Sequence, residues 1–534
     1  MYLYSLSAAA LAATCICIYL ITTIGRRDRR MPEGPPTLPI IGNLHQMPKV
    51  KLYLQTYGGM YTLKLGSGSV VVLTDRRLVK QLLDKKSATS SHRPVSLVQQ
   101  QMITEGSHML WMNNTPKWRL MRKLVHQDLT EVICDREHSK IHQAESVQLL
   151  NDMLECPDEW MRHLKRFSNS IIMSIVYGIR SPSNDAPWTK ELNGVLDLWA
   201  KINEFGATPP IDIFPFLKWV PQRYLGNWVT RTRIVHDKLH ELYDKLLRSV
   251  EARREATGPM HCIADRVLDQ NGDQTLSRHN VMFLAGVALK GGSDTTASTL
   301  ASFVQAMIAF PEVQRKAHAE LDAVVGPSRI PDWNDYATLP YVAALVKETM
   351  RWRPTAPLGV PHALSEDEWV DGKFLPKGTV VFVNVWGLHH DEHKFPDSDT
   401  FDPGRYAGRI GSSAEYANSA DYENRDHYGF GNGRRLCPGI HLADRNVWHV
   451  ICKMLWAFEI KPKFDAQTGS ATKIDTSVET GYREGLTMCP YDFQCDIKVR
   501  DQARAKLIAS SLAEAKADVF PKYERTEFFM PTKA

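Results

Sequence analysis

The chain has 534 residues, 43% of them hydrophobic, which is well beyond a typical domain and enough to fill a large core. A disordered tail protein and a disulfide-stapled miniature are excluded. With 65 Lys and Arg against 60 Asp and Glu, the formal charge is +5, too mild a surplus for a nucleic-acid binder.

Residues 2–25 carry no charge, and as a helix they would reach about 36 Å, enough to cross a hydrocarbon layer of about 30 Å. The positive residues Arg26, Arg27, Arg29 and Arg30 follow this run instead of preceding it. That order predicts a retained anchor, not a cleaved leader, with the body of the protein on the cytoplasmic side. The nine cysteines have no repeating spacing, which argues against a disulfide framework and for a reducing compartment.

Next comes Pro32-Glu33-Gly34-Pro35-Pro36-Thr37-Leu38-Pro39, where fixed φ angles and missing amide donors predict a stiff stalk ending at Gly42. Tyr61, Leu63 and Leu65 alternate with polar residues, Gly66 to Ser69 turns, and Val70 to Leu73 returns as a hairpin. Helical periodicity follows over 139–179, 229–256, 276–310, 311–325 and 337–352. A second strand pair is predicted within Phe374 to Val385, turning at Pro376-Lys377-Gly378. The fold class is therefore mainly α with a minor β-sheet region. The division is 2–25 anchor, 26–45 basic and Pro-rich stalk, 46–500 main domain, and 501–534 an Ala- and Lys-rich extension with a peripheral helix of unassigned role.

The strongest local signal is Phe430-Gly431-Asn432-Gly433-Arg434-Arg435-Leu436-Cys437-Pro438-Gly439, leading into an apolar helical stripe. A lone cysteine at the mouth of a helix gains thiolate character from the dipole and free N–H groups, and the thiolate is the form that ligates a metal. The glycines allow close passage of something flat, and Arg435 offers a forked donor to a carboxylate.

This decapeptide resembles the haem-binding signature FGxGxRxCxG of the cytochrome P450 family at every fixed position. The resemblance implies the P450 fold behind one N-terminal transmembrane helix, with Cys437 as axial ligand of haem iron and with Arg435 and Phe430 in the cofactor site. Other motifs occur in the family's order. Glu348-Thr349-Met350-Arg351 resembles ExxR, with Glu and Arg on one helix face, and Arg405 in Phe401-Asp402-Pro403-Gly404-Arg405 would complete a structural Glu348–Arg351–Arg405 network. Trp118 and Arg122 resemble the WxxxR pair that holds a haem propionate. His362 is another propionate contact or a simply hydrogen-bonded histidine. Gly291-Gly292-Ser293-Asp294-Thr295-Thr296 resembles the distal helix motif, which assigns oxygen contact to Thr295 and proton relay to Asp294; two mid-helix glycines at about 1 kcal/mol each point to thinning for an oxygen molecule.

The resemblance implies haem b, O2 as co-substrate and a monooxygenase acting on a small, largely apolar organic substrate in secondary-metabolite biosynthesis. Pro94 to Pro116, with its Gln and Met residues, is the candidate recognition segment. No flavin or nucleotide-binding motif is evident, so electrons must arrive from a partner; the resemblance implies a separate NADPH-dependent P450 reductase, docking near Lys117, Arg119, Lys123 and Arg434. The implied location is the endoplasmic reticulum membrane, single-pass, with the catalytic domain cytoplasmic and no nucleic-acid partner. Two alternatives stand beside this reading: a P450-fold isomerase or dehydratase that does not use external O2, and a catalytically silent haem-binding membrane protein. Lys290, a charge in an apolar helix, either pairs with Asp294 four residues on or contacts substrate.

Overall fold

The computed structural model describes residues 11–524 apart from 13, 17, 20–22, 47–56, 205, 272–274, 465–468 and 484. Much of the expected span 2–25 lies outside the described residues, and no helix among those described is long and apolar enough to cross a membrane.

Among the described residues, the continuous helices of eight residues or more are α1 (Pro116–Gln127), α2 (Ser139–Glu155), α3 (Trp160–Tyr177), α4 (Pro187–Ile202), α5 (Trp228–Thr257), α6 (Ile263–Gln270), α7 (Arg278–Ala309), α8 (Pro311–Val324), α9 (Pro340–Trp352), α10 (Ile440–Ala457) and α11 (Gln502–Asp518). The run expected over 139–179 is broken in two. Pro157 has no amide proton for a continuing helix, so Cys156 to Glu159 forms a short bend between α2 and α3. Gly178, in the left-handed region at φ 73°, ends α3 by donating to Ser174 O. The 32-residue α7 starts at a Ser277 cap whose hydroxyl accepts from Asn280 N, and it stops where Pro311 opens α8. It is buried on several faces because α1, α3, α5, α9 and α10 all pack on it.

The sheet residues are β1 (Met60–Leu65), β2 (Gly68–Leu73), β3 (His362–Ala363), β4 (Glu368–Val370), β5 (Lys373–Leu375), β6 (Val380–Val383), β7 (Phe458–Pro462), β8 (Tyr482–Arg483), β9 (Cys489–Pro490) and β10 (Cys495–Val499). β1 and β2 form the expected hairpin, but Leu65 faces Gly68, so the turn is the pair Gly66-Ser67. The second strand pair is corrected. β5 pairs with β4, while β6 lies parallel to β2 and antiparallel to β3, so Pro376-Lys377-Gly378 carries the chain from one sheet to another. β6 is an interior strand whose two edges are claimed by β2 and β3, whereas a local hairpin would satisfy only one of them.

Within 26–45 the chain is bonded to both of these sheets and to itself. Thr62 N donates to Glu33 O at 2.9 Å, Phe374 N to Arg30 O at 2.9 Å, and Arg27 Nη2 to Gly34 O and Pro35 O at 3.0 and 2.7 Å. The helix expected within 501–534 is α11. Its Ile508, Leu512 and Ala515 join the main apolar core, Arg504 pairs with Asp322, and Arg180 reaches Glu524.

Candidate active site around Cys437

The loop before α10 is closed by Cys437 N donating to Phe430 O at 2.8 Å. Gly433, at φ 53°, passes so near the chain at Leu83 that a Cβ would sit 2.0 Å from Leu83 O, which excludes any side chain there. Cys437 stands three residues before Ile440, the first residue of α10. Burial pushes its thiol up, against the Gly439 N–H and the Arg122 charge that pull it down. A bound cation is what deprotonates a thiol in such a place.

Three guanidiniums converge beside this loop. Arg435 donates to Ser91 O at 2.9 Å and Met112 O at 2.5 Å, and its guanidinium carbon lies 3.9 Å from the Trp118 ring centroid. Arg93 donates to Leu110 O, Val360 O and Pro361 O at 2.9, 2.9 and 2.7 Å. Arg122 donates to Leu436 O, and Trp118 Nε1 to Met109 O at 3.0 Å. Among the described residues, these hydrogen bonds go to main-chain carbonyls and none goes to a carboxylate. Burial and mutual repulsion push Arg435 down to about 8 and Arg93 down to about 9. His362 Nδ1 bonds Ser90 O at 2.9 Å, and burial beside Arg93 and Arg435 pushes its pKa down to about 3, so it is neutral. Buried cations without counter-charge are costly, and an anionic ligand with carboxylates is the chemistry that would neutralise them. Arg93 was not singled out from the sequence; it lies on an extended loop with no motif around it.

On α7, which packs against both α1 and α10, Asp294 forms an ion pair with Lys290. Thr295 Oγ1 donates to Gly291 O at 2.7 Å. The two glycines differ. A Cβ on Gly291 would meet nothing within 4 Å, whereas one on Gly292 would lie 2.7 Å from Ile172 Cγ1 on α3. The expectation that both thin the helix for oxygen is corrected: Gly292 serves helix packing, and Gly291 alone faces open space.

Glu348 and Arg351 are fully buried and bidentate, with Nε–Oε2 at 2.6 Å and Nη2–Oε1 at 2.7 Å. Arg405 Nε stands 3.6 Å from Glu348 Oε1, and Asp402 N donates to the same oxygen at 2.8 Å. Arg351 Nη1 also donates to His389 O, and His389 Nε2 accepts from Tyr428 N, two residues before Phe430. The ion pair is thereby tied to the cysteine loop.

Residues 32–477 match the cytochrome P450 family. The chain belongs to that family. The P450 monooxygenase macC of Penicillium terrestre is 47% identical over 98% of this chain and 99% of its own. The P450 monooxygenase patH of Aspergillus clavatus is 46% identical over 93% and 95%. A zebrafish P450 structure with progesterone superposes with a TM-score of 0.68 at 22% identity, covering 85% of this chain and 99% of that one, which shows the fold. This P450 is thus a monooxygenase of the family that carries haem b, uses O2 and receives electrons from a reductase. Its residues fit that cofactor: a half-buried thiol, two buried guanidiniums and a half-buried third, all lacking carboxylate partners, and a neutral histidine surround one loop.

Proposed function

We propose that the protein inserts one oxygen atom of O2 into a small, largely apolar organic substrate, at a step of secondary-metabolite biosynthesis, and reduces the other oxygen to water. The observation that carries this reading is the Cys437 loop with its cluster of unpaired arginines, set against a helix that holds Asp294 and Thr295. Haem supplies the oxygen-activating chemistry when bound, with thiolate donation favouring O–O cleavage.

The chain's own residues do the rest. Cys437 Sγ would hold the haem iron as a thiolate. Arg93, Arg122, Arg435 and His362 Nε2 would hold the haem propionates, with the Trp118 ring packed against the Arg435 guanidinium. With the cofactor in place, the Thr295 hydroxyl, which here donates to Gly291 O, would hold a proton for the reaction, and Asp294, paired with Lys290, would relay it. The Glu348–Arg351–Arg405 network positions the loop and touches no reactant. Lys117, Arg119, Lys123 and Arg434 are exposed and form the docking patch for an NADPH-dependent reductase. Residues 2–25 anchor the protein in the endoplasmic reticulum membrane, with the catalytic domain cytoplasmic.

The test begins with deletion of the gene and isolation of the compound that accumulates. That compound is given to the purified protein with reductase, NADPH and oxygen-18 gas. One labelled oxygen in the product supports the reading. Product without label, or turnover without NADPH, supports an isomerase or dehydratase, and no turnover supports a silent haem protein.

A further inference from the structure

Away from the haem residues, four titratable side chains from three separate elements meet at one place. Glu105 comes from the 94–116 segment, His236 and His240 from adjacent turns of α5, and His279 from the first turn of α7. One ligand atom each of Glu105, His240 and His279 lies within 4.8 Å of the other two. We propose that Glu105, His240 and His279 bind a divalent transition-metal ion of the zinc class, which clamps the 94–116 segment to α5 and α7.

The ring geometry favours ligation. His240 Nε2 bonds Ile103 O at 2.9 Å, and because a carbonyl only accepts, Nε2 carries the proton and Nδ1 keeps its lone pair. A main-chain oxygen fixing the outer nitrogen is the arrangement that orients metal-bound imidazoles. His279 Nε2 is buried without a hydrogen-bond partner and lies 3.8 Å from Glu105 Oε2. His236 Nε2 holds the other oxygen, Glu105 Oε1, at 3.2 Å, while its Nδ1 meets Asp237 Oδ1 at 2.8 Å. Phe283 backs both His240 and His279, with ring centroids 4.9 and 4.8 Å away.

Glu105 itself sits at φ 46°, a left-handed conformation that glutamate seldom adopts, followed by Gly106 at φ 72°. The chain turns there in a way that aims the carboxylate at the histidines. Two imidazoles and one carboxylate are a ligand set that zinc accepts with a fourth position for water. Bonds of about 2.1 Å require the donors to draw in by roughly an ångström. The one ligand on a loop is the one with room to move.

The experiment uses the full-length, haem-loaded protein, treated with a chelator and titrated with Zn2+ alone by calorimetry. One zinc per chain is expected. Glu105→Gln and His279→Gln should each weaken it by more than about 100-fold, and His236→Asn by about 10-fold, as for an outer-shell residue. His393→Gln, an exposed histidine elsewhere, should bind zinc as the unaltered protein does. Hydrogen exchange in residues 97–106 should slow on zinc addition. Glu105→Gln alters an exposed side chain, so an intact haem spectrum separates lost ligation from lost folding. Absence of zinc binding, or zinc binding that survives both Glu105→Gln and His279→Gln, overturns the proposal.

Discussion

The guanidinium of Arg435 packs over the Trp118 ring, 3.9 Å from its centroid, and reaches Ser91 O and Met112 O with the same side chain. The contact joins the cysteine loop to α1 and to the segment before it. Replacing Arg435 by Leu removes one of three converging cations and takes the donor from the buried Ser91 carbonyl, at about 1–3 kcal/mol, and from the half-buried Met112 carbonyl. Haem content per folded chain should fall sharply in Arg435→Leu and less in Arg435→Lys, which keeps charge but loses the fork. Haem extraction against far-ultraviolet circular dichroism checks this; equal haem content in all three proteins removes Arg435 from the cofactor site.

Cys437→Ser should lose the red-shifted Soret band of the reduced carbon-monoxide complex, because a hydroxyl cannot give the same electron donation. The other described cysteines lie outside the Phe430–Gly439 loop, so none is placed to substitute. Persistence of the band would assign the ligand elsewhere.

For proton delivery, Thr295→Ala should continue to consume NADPH while more of it is lost as hydrogen peroxide. Lys290→Met should weaken coupling and change the solvent isotope effect while substrate affinity stays nearly constant, since Lys290 is paired with Asp294. Loss of affinity with coupling intact would make Lys290 a substrate contact instead.

The two adjacent glycines of α7 should respond in opposite directions. Gly292→Ala pushes a methyl against Ile172 and should cost about 1–3 kcal/mol, outweighing the roughly 1 kcal/mol that alanine gains in a helix. Gly291→Ala meets open space and should leave stability unchanged or raised by up to about 1 kcal/mol. Thermal unfolding of both variants measures this, and Ile172→Val should recover part of the Gly292→Ala loss.

Glu348 and Arg351 illustrate what was legible at the outset: i,i+3 spacing on a helix places the two groups on one face whatever the surroundings. The same holds for the β1–β2 hairpin, for α7, and for Lys290 with Asp294, where the partner lies within a turn or a few residues. The cysteine decapeptide belongs with these, since a loop closed by Cys437 N and Phe430 O is local chemistry. The tertiary structure decided what depends on groups far apart in the chain. Arg93 beside Arg435, β6 along β2, Gly292 against Ile172, and Glu105 facing His279 each join groups more than a hundred residues apart. Periodicity and local propensity describe only neighbours along the backbone, whereas burial, unpaired charge and metal geometry arise from which distant segments the core packs together.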